Sequence, residues 1–148
     1  MPDLLRVALR CALAASCGLI VSVACHDDEG ENAGQACDVP DECYPDVEDE
    51  DLAMLGELVC LDRVPGGYCT HLCDSDDDCC AVEGECNSDF PQVCAPFEST
   101  GMYMCFLSCE AADIGDNDEG SFCQEYAHPD FGCRSTGGGS DNRKVCVP

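Results

Sequence analysis

Three regimes of polarity divide the chain. Cys11 to Ala24 is a run of 14 residues without a charge, preceded by Arg6 and Arg10. His26 to Ala36, HDDEGENAGQA, is polar, acidic and Gly-containing. From Cys37 onward apolar residues are sparse, and few segments show a period. In Asp51 to Val59, DLAMLGELV, the residues Leu52, Leu55 and Val59 share one helical face with acids ahead of it. That spacing predicts a short helix between Cys43 and Cys60, weakened by Gly56. Gly101 to Leu107, GMYMCFL, is dense in aromatic and apolar side chains and predicts a strand. Pro65-Gly66-Gly67 predicts a turn into a short strand at Tyr68. Gly137-Gly138-Gly139 predicts a flexible loop, and the rest is expected as turns and irregular loops.

The uncharged run is too short to span a bilayer comfortably, and small residues close it. Residues 1–24 are therefore expected to be an export signal. Residues 25–36 cannot pack a core and are expected to form an acidic flexible tether.

Composition sharpens this picture. Of the 123 residues after Cys25, only 20 are Leu, Ile, Val or Phe, and the net charge of the chain is -25. Such a chain would ordinarily stay disordered. Its 17 cysteines reverse that expectation. Cross-links remove entropy from the unfolded state, so a chain with little core can still fold. The charge also argues against nucleic acid as a partner and against electrostatic docking to anionic lipid.

The cysteines after the tether are Cys37, Cys43, Cys60, Cys69, Cys73, Cys79, Cys80, Cys86, Cys94, Cys105, Cys109, Cys123, Cys133 and Cys146. Their spacing repeats. Cys37-x5-Cys43 matches Cys73-x5-Cys79, Val59-Cys60 matches Val93-Cys94, and Cys69-x3-Cys73 matches Cys105-x3-Cys109. A degraded third copy runs from Cys109 through Phe122-Cys123 and Gly132-Cys133 to Val145-Cys146. The body, residues 37–148, is thus expected to hold two similar units, about 37–73 and 73–109, and a looser third at 109–148, with boundary cysteines shared. The adjacent Cys79 and Cys80 are expected to pair outward in different directions, because a bridge between neighbours is strained. The fold class expected is small and disulfide-rich, mostly irregular loops with short β-hairpins and one short helix. Which cysteine pairs with which is not legible from spacing.

Two resemblances bear on these residues. Ser22-Val23-Ala24 before Cys25 resembles a bacterial lipobox, in which the chain is cleaved before the cysteine and lipid is attached to it. The family usually has Leu at the position of Ser22, and the same three residues also suit ordinary signal peptidase. Cysteine parity separates the two outcomes. Removal of the signal deletes Cys11 and Cys17 and leaves an odd number; lipidation of Cys25 leaves 14 for seven bridges. Cys17, after Ala14-Ala15-Ser16, is a competing lipobox but would leave Gly18 to Ala24 at the mature start. In the resembling lipoproteins an Asp after the lipidated cysteine favours the inner membrane, so His26 implies the outer membrane.

The run Cys73-Asp74-Ser75-Asp76-Asp77-Asp78-Cys79, preceded by Gly67-Tyr68-Cys69-Thr70-His71-Leu72-Cys73, resembles cysteine-rich bacterial lipoproteins of unassigned function across residues 37–109. That resemblance implies no defined activity. The whey-acidic-protein core shares C-x5-C-C, but its double cysteine is followed by C-x3-C-x3-C. Cys80-x5-Cys86 departs from it, which puts a protease-inhibitor reading in doubt.

Candidate chemistry is sparse. C-x3-C is within reach of zinc spacing, but an exported chain meets an oxidising compartment, which favours disulfides. Asp46 to Asp51, Asp74 to Asp78 and Asp113 to Gly120 are oxygen-rich. Asp116 and Asp118 are the calcium candidates, yet in an EF-hand frame from Asp116 the glycine falls one place early and the twelfth residue, Ala127, cannot ligate. A solvated acidic face is the simpler expectation. His26, His71 and His128 sit in no catalytic motif, and no cofactor motif occurs, so neither enzyme activity nor a cofactor is expected. Met102, Tyr103, Met104 and Phe106 could face a ligand or be the core itself. Tyr126, Phe131, Arg143 and Lys144 are further contact candidates.

The expected protein is a membrane-tethered envelope lipoprotein acting as a binding or structural module. Its partners would be the membrane, through a lipid anchor, and an extracellular protein or glycan. The alternatives are a soluble secreted effector or inhibitor, a calcium-dependent adhesin-like module, and a thiolate metal store.

Overall fold

The computed structural model describes residues 33–86, 88–97, 100–137 and 142–148. The expected export signal at residues 1–24, Cys25, His26, Gly138 and Gly139 lie outside the described residues. Among the described residues no helix is long and apolar enough to cross a membrane.

The body is small and disulfide-rich, and three short antiparallel hairpins punctuate it. Strand β1 (Leu58–Cys60) pairs with β2 (Cys69–His71), β3 (Gln92–Pro96) with β4 (Tyr103–Leu107), and β5 (Gly132–Ser135) with β6 (Lys144–Val147). In each hairpin two cysteines stand directly opposite: Cys60 and Cys69, Cys94 and Cys105, Cys133 and Cys146. They do not bond to one another. Each reaches back to a cysteine upstream of the hairpin, and the order is the same three times. The first cysteine of a unit bonds the third, and the second bonds the fourth. The pairs are Cys37–Cys60 with Cys43–Cys69, Cys73–Cys94 with Cys79–Cys105, and Cys109–Cys133 with Cys123–Cys146.

This pairing corrects two expectations from spacing. Each cysteine serves a single unit, so the units close at Cys69, Cys105 and Cys146 and share no boundary cysteine. The third unit has the same crossed bridges as the other two, but the stretches between its first and second and its third and fourth cysteines are longer and that between its second and third is shorter. Cys79 and Cys80 do diverge: Cys79 bonds Cys105, while Cys80 closes a local loop to Cys86.

The units are chained by one recurring device. The residues after the second strand of one unit run along the second strand of the next. Leu72 bridges Met104, and Cys73 N donates to Tyr103 O at 3.1 Å. Likewise Ser108 bridges Val145, and Cys109 N donates to Lys144 O at 3.0 Å. The first unit receives the equivalent contact from residues assigned above to the tether. Gly34 N donates to Cys69 O at 2.9 Å, and Cys69 N donates to Gln35 O at 2.9 Å. Residues 33–36 therefore belong to the fold.

A common core runs through all three units. Tyr68 stacks on Phe106 with ring centroids 6.4 Å apart and meets Phe131 at 4.7 Å, one ring from each unit. All three rings are buried. Such ring pairs contribute about 0.5–1.5 kcal/mol beyond the area they bury. The separate units could not make this contact alone.

Two elements differ from the sequence expectation. The helix expected over 51–59 is a single turn, α1 (Asp49–Leu52), and Leu58–Cys60 is strand. Gly56 explains the break: a Cβ there would lie 1.9 Å from the Leu72 carbonyl oxygen, so the backbone of β2's exit crosses too close for any side chain. Leu72 N then donates to Glu57 O at 2.9 Å, which holds the crossing. Hairpin pairing overrides the local helical period here. The other difference is α2 (Glu119–Tyr126), where irregular loop was expected. Asp118 caps it by accepting from Gly120 N at 3.1 Å. Phe122 and Tyr126, one turn apart, both meet Phe90 with centroids 4.9 Å away.

Peptide mapping without reduction is expected to recover the pairs Cys37–Cys60 and Cys43–Cys69 and their two equivalents. Cys60–Cys69 cross-strand bridges would contradict the fold. Replacing one bridge as a pair, Cys123→Ser with Cys146→Ser, should cost about 3 kcal/mol in thermal or denaturant unfolding. Gly56→Ala should cost about 1–3 kcal/mol by the same measurement, because the backbone crossing must open.

Candidate binding surface

The acidic run of the second unit is built into the fold. Asp76–Asp78 forms a 3-10 turn. The Asp78 carboxylate accepts from Asp74 N and Ser75 N, both at 2.8 Å. These two backbone hydrogen bonds, with Ser75 Oγ adding a third, hold the Asp78 carboxyl below its ordinary pKa. Asp76 Oδ1 accepts from Cys94 N at 3.0 Å. The first unit repeats the cap with different residues: Glu42 accepts from Asp38 N at 2.7 Å beside the turn Pro40–Glu42. Part of the expected solvated acidic face is thus a capping device. Asp74 and Asp77 remain exposed beside it.

Arg143 from the third unit sits on this row. Its Nη1 donates to both carboxylate oxygens of Asp76 at 2.6 Å. Lys144 pairs with Glu119 at 2.8 Å. These two contact candidates are therefore engaged within the chain.

Beside the acidic row lies a groove of about 470 Å³. Met54, Leu55 and Gly56 form one side and Gly101, Met102 and Tyr103 the other, with Leu72, Cys73, Asp74 and Asp78 between. Met54, Met102 and Tyr103 are 67%, 43% and 42% exposed. A second groove of about 730 Å³ shares Asp74 and Tyr103 and continues over Ser75, Asp76, Asp77, Pro96, Asn142 and Arg143. The strand segment 102–106 is thus divided. Met102 and Tyr103 face outward, whereas Met104 and Phe106 are fully buried as core. Tyr126 and Phe131 also pack inward.

Next to the groove-lining Leu72 lies a buried ion pair that the sequence did not announce. His71 and Glu85 are both fully buried, and His71 Nε2 lies 2.9 Å from Glu85 Oε1. His71 Nδ1 lies 2.9 Å from the Leu72 carbonyl. Both imidazole nitrogens face oxygen atoms, an arrangement that favours the doubly protonated ring. Glu85 Oε1 also accepts from Cys80 N, and Oε2 from Ala81 N, each at 2.7 Å. The pair thereby ties the Cys80–Cys86 loop to β2 and to the groove floor at Leu72. Burial opposes both charges, but the mutual hydrogen bond and the backbone partners outweigh it. His71 is raised above 6.5 and Glu85 lowered below 4.5. Tyr44, edge-on to His71 at 5.9 Å, is pushed upward by burial and the nearby Tyr68 and Glu85. A signal was present in H-x13-E, but nothing in that spacing distinguishes it from chance.

The other candidate residues are scattered. Asp118 caps α2, Asp116 is exposed, and among the described residues neither joins a cluster of close-set metal-ligand atoms. Close sulfur clusters do occur, as in Cys37, Cys43 and Cys69, but each sulfur is in a bridge rather than a thiolate. His128 Nε2 lies 3.3 Å from the Pro65 carbonyl, and its Nδ1 accepts from Asp130 N at 3.1 Å.

No protein-family model matches the chain, and neither a curated protein nor a solved structure matches it. Its class rests on its own geometry: a disulfide-rich body of three chained hairpin units. A body so extensively bridged belongs to an oxidising, extracytoplasmic setting.

The ion pair sets a pH dependence. His71, raised on folding, stabilises fully below its unfolded pKa, and this is lost as pH rises from about 6.5 through the raised value. Glu85, lowered on folding, stabilises fully above its unfolded pKa, and this is lost as pH falls through the lowered value. Melting temperature of the oxidised protein should therefore peak between the two unfolded values and decline on both sides. His71→Ala should cost about 3–5 kcal/mol by leaving the buried Glu85 charge without its cationic partner. It should also remove the decline on the alkaline side.

Proposed function

We propose that the chain is an exported, lipid-anchored module of the cell envelope, held at the outer membrane, whose work is binding rather than catalysis. The observation that supports this most is the closed set of bridges. Cys37 to Cys146 supply fourteen cysteines, and all fourteen pair among themselves. Of the 17 cysteines in the sequence, that leaves Cys11 and Cys17 in the expected signal and Cys25 at its end. A free thiol at Cys25 would be reactive in an oxidising compartment, and lipidation removes it. The anchored chain then presents the body beyond a short acidic tether ending near residue 33. Binding is the favoured role because outward-facing Met54, Met102 and Tyr103 gather at one groove of an otherwise strongly acidic protein.

Intact mass of the purified mature protein, before and after reduction with alkylation, tests the anchor. The expected mass is residues 25–148 plus lipid, with fourteen thiols appearing only on reduction. An unlipidated chain carrying one alkylatable thiol without reduction would overturn the anchor and favour a soluble secreted protein.

A further inference from the structure

We propose that the groove between Met54 and Tyr103 takes a cationic, amphipathic peptide segment, its apolar side chains on Met54, Met102 and Tyr103 and its Lys or Arg on Asp74 and Asp78. This deepens the binding reading above and rests on it. Among the described residues the exposed large hydrophobics are Val39, Met54, Met102 and Tyr103, and the last three line this one groove. Methionine thioethers are flexible and polarizable and adapt to varied partners. An exposed tyrosine offers a rigid face to apolar groups and to cations. Gly56 and Gly101 sit on opposite walls, and a Cβ at Gly101 would meet nothing within 4 Å, so the groove is open there.

Charge decides the occupant. The chain carries -25, with 31 acids against 6 basic residues. A second copy, an anionic lipid or a nucleic acid would meet like charge along the whole row. A neutral apolar partner would leave Asp74 and Asp78 desolvated without a counter-charge. The chain itself shows how a cation is held here: Arg143 reaches Asp76, next in the same row, with 2.6 Å contacts to both oxygens. The backbone hydrogen bonds to Asp78 fix its carboxylate in place before any partner arrives, so little ordering is needed on binding. Asp77 and the adjoining groove across Tyr103 extend the same surface for a longer segment.

Fluorescence anisotropy on the full mature protein tests this, in neutral detergent with protein-free micelles as the blank. Three labelled peptides of equal length serve as probes: alternating Lys and Leu, all Lys, and alternating Gln and Leu. The Lys–Leu peptide should bind at least tenfold more tightly than either control, and added salt should weaken it. Met102→Ser with Tyr103→Ser should weaken it at least tenfold, and Asp74→Asn should weaken it severalfold. Both variants should melt like the parent protein, because the replaced side chains are exposed. Equal binding of the all-Lys peptide with no effect of Met102→Ser and Tyr103→Ser would overturn the proposal in favour of unspecific charge attraction. Equal binding of the Gln–Leu peptide, or no binding of any probe, would overturn it as well. Neither result touches the anchor, which the intact mass decides separately.

Discussion

The crossed pair of disulfides around each hairpin is the constraint on which the rest depends. A two-stranded hairpin of three to five residues per strand is marginal in water. Here each hairpin carries two opposed cysteines, and each is tied to a loop 21 to 26 residues upstream in the chain. Because the two bridges cross, neither the loop nor the hairpin can leave without breaking a covalent bond. The small apolar content is then sufficient, since it need only choose among already restricted conformations. Tyr68, Phe106 and Phe131 make that choice by joining the three units at one point.

The same constraint releases the surface. With the backbone held by cross-links, Met54, Met102 and Tyr103 are not needed in the core and stay exposed. The acidic row is likewise tolerable because its repulsion acts against covalent cross-links. Two of its carboxylates, Asp76 and Asp78, also accept backbone hydrogen bonds and so contribute to the turn that carries them. The buried His71–Glu85 pair works from beside the groove: it fixes the Cys80–Cys86 loop and the carbonyl of Leu72, and the groove floor inherits their position.

The chaining device gives the architecture its direction. Each unit hands its trailing segment to the second strand of the next, as Leu72–Cys73 does to β4 and Ser108–Cys109 does to β6. The segment 33–36 plays that part for the first unit. The units are thus successive layers of one body with a shared core. The longer insertion of the third unit, including α2, packs its Phe122 and Tyr126 against Phe90 of the second.

Cysteine spacing by itself determined the class and the divergence of Cys79 from Cys80, because those follow from covalent chemistry; it showed a repeat along the chain, but the boundaries of the units and the equivalence of the third followed only from the pairing. The strand at 103–107 was legible from its run of aromatic and apolar residues, and the turn before β2 from Pro65-Gly66-Gly67. Tertiary structure alone decided which cysteines pair, since opposed cysteines on a hairpin look equally able to bond each other. It also turned Leu58 and Val59 from helix to strand, because the close passage of Leu72 at Gly56 is a contact between residues sixteen apart. The helix at 119–126 escaped notice because Gly120 and Ser121 are weak formers and its support comes from Phe90. The groove and the ion pair beside it are assembled from residues 54 to 103, distant in sequence and joined only when the bridges close. Local pattern records what a segment prefers, and in a chain with so little apolar content the covalent and long-range contacts decide where that preference is allowed to stand.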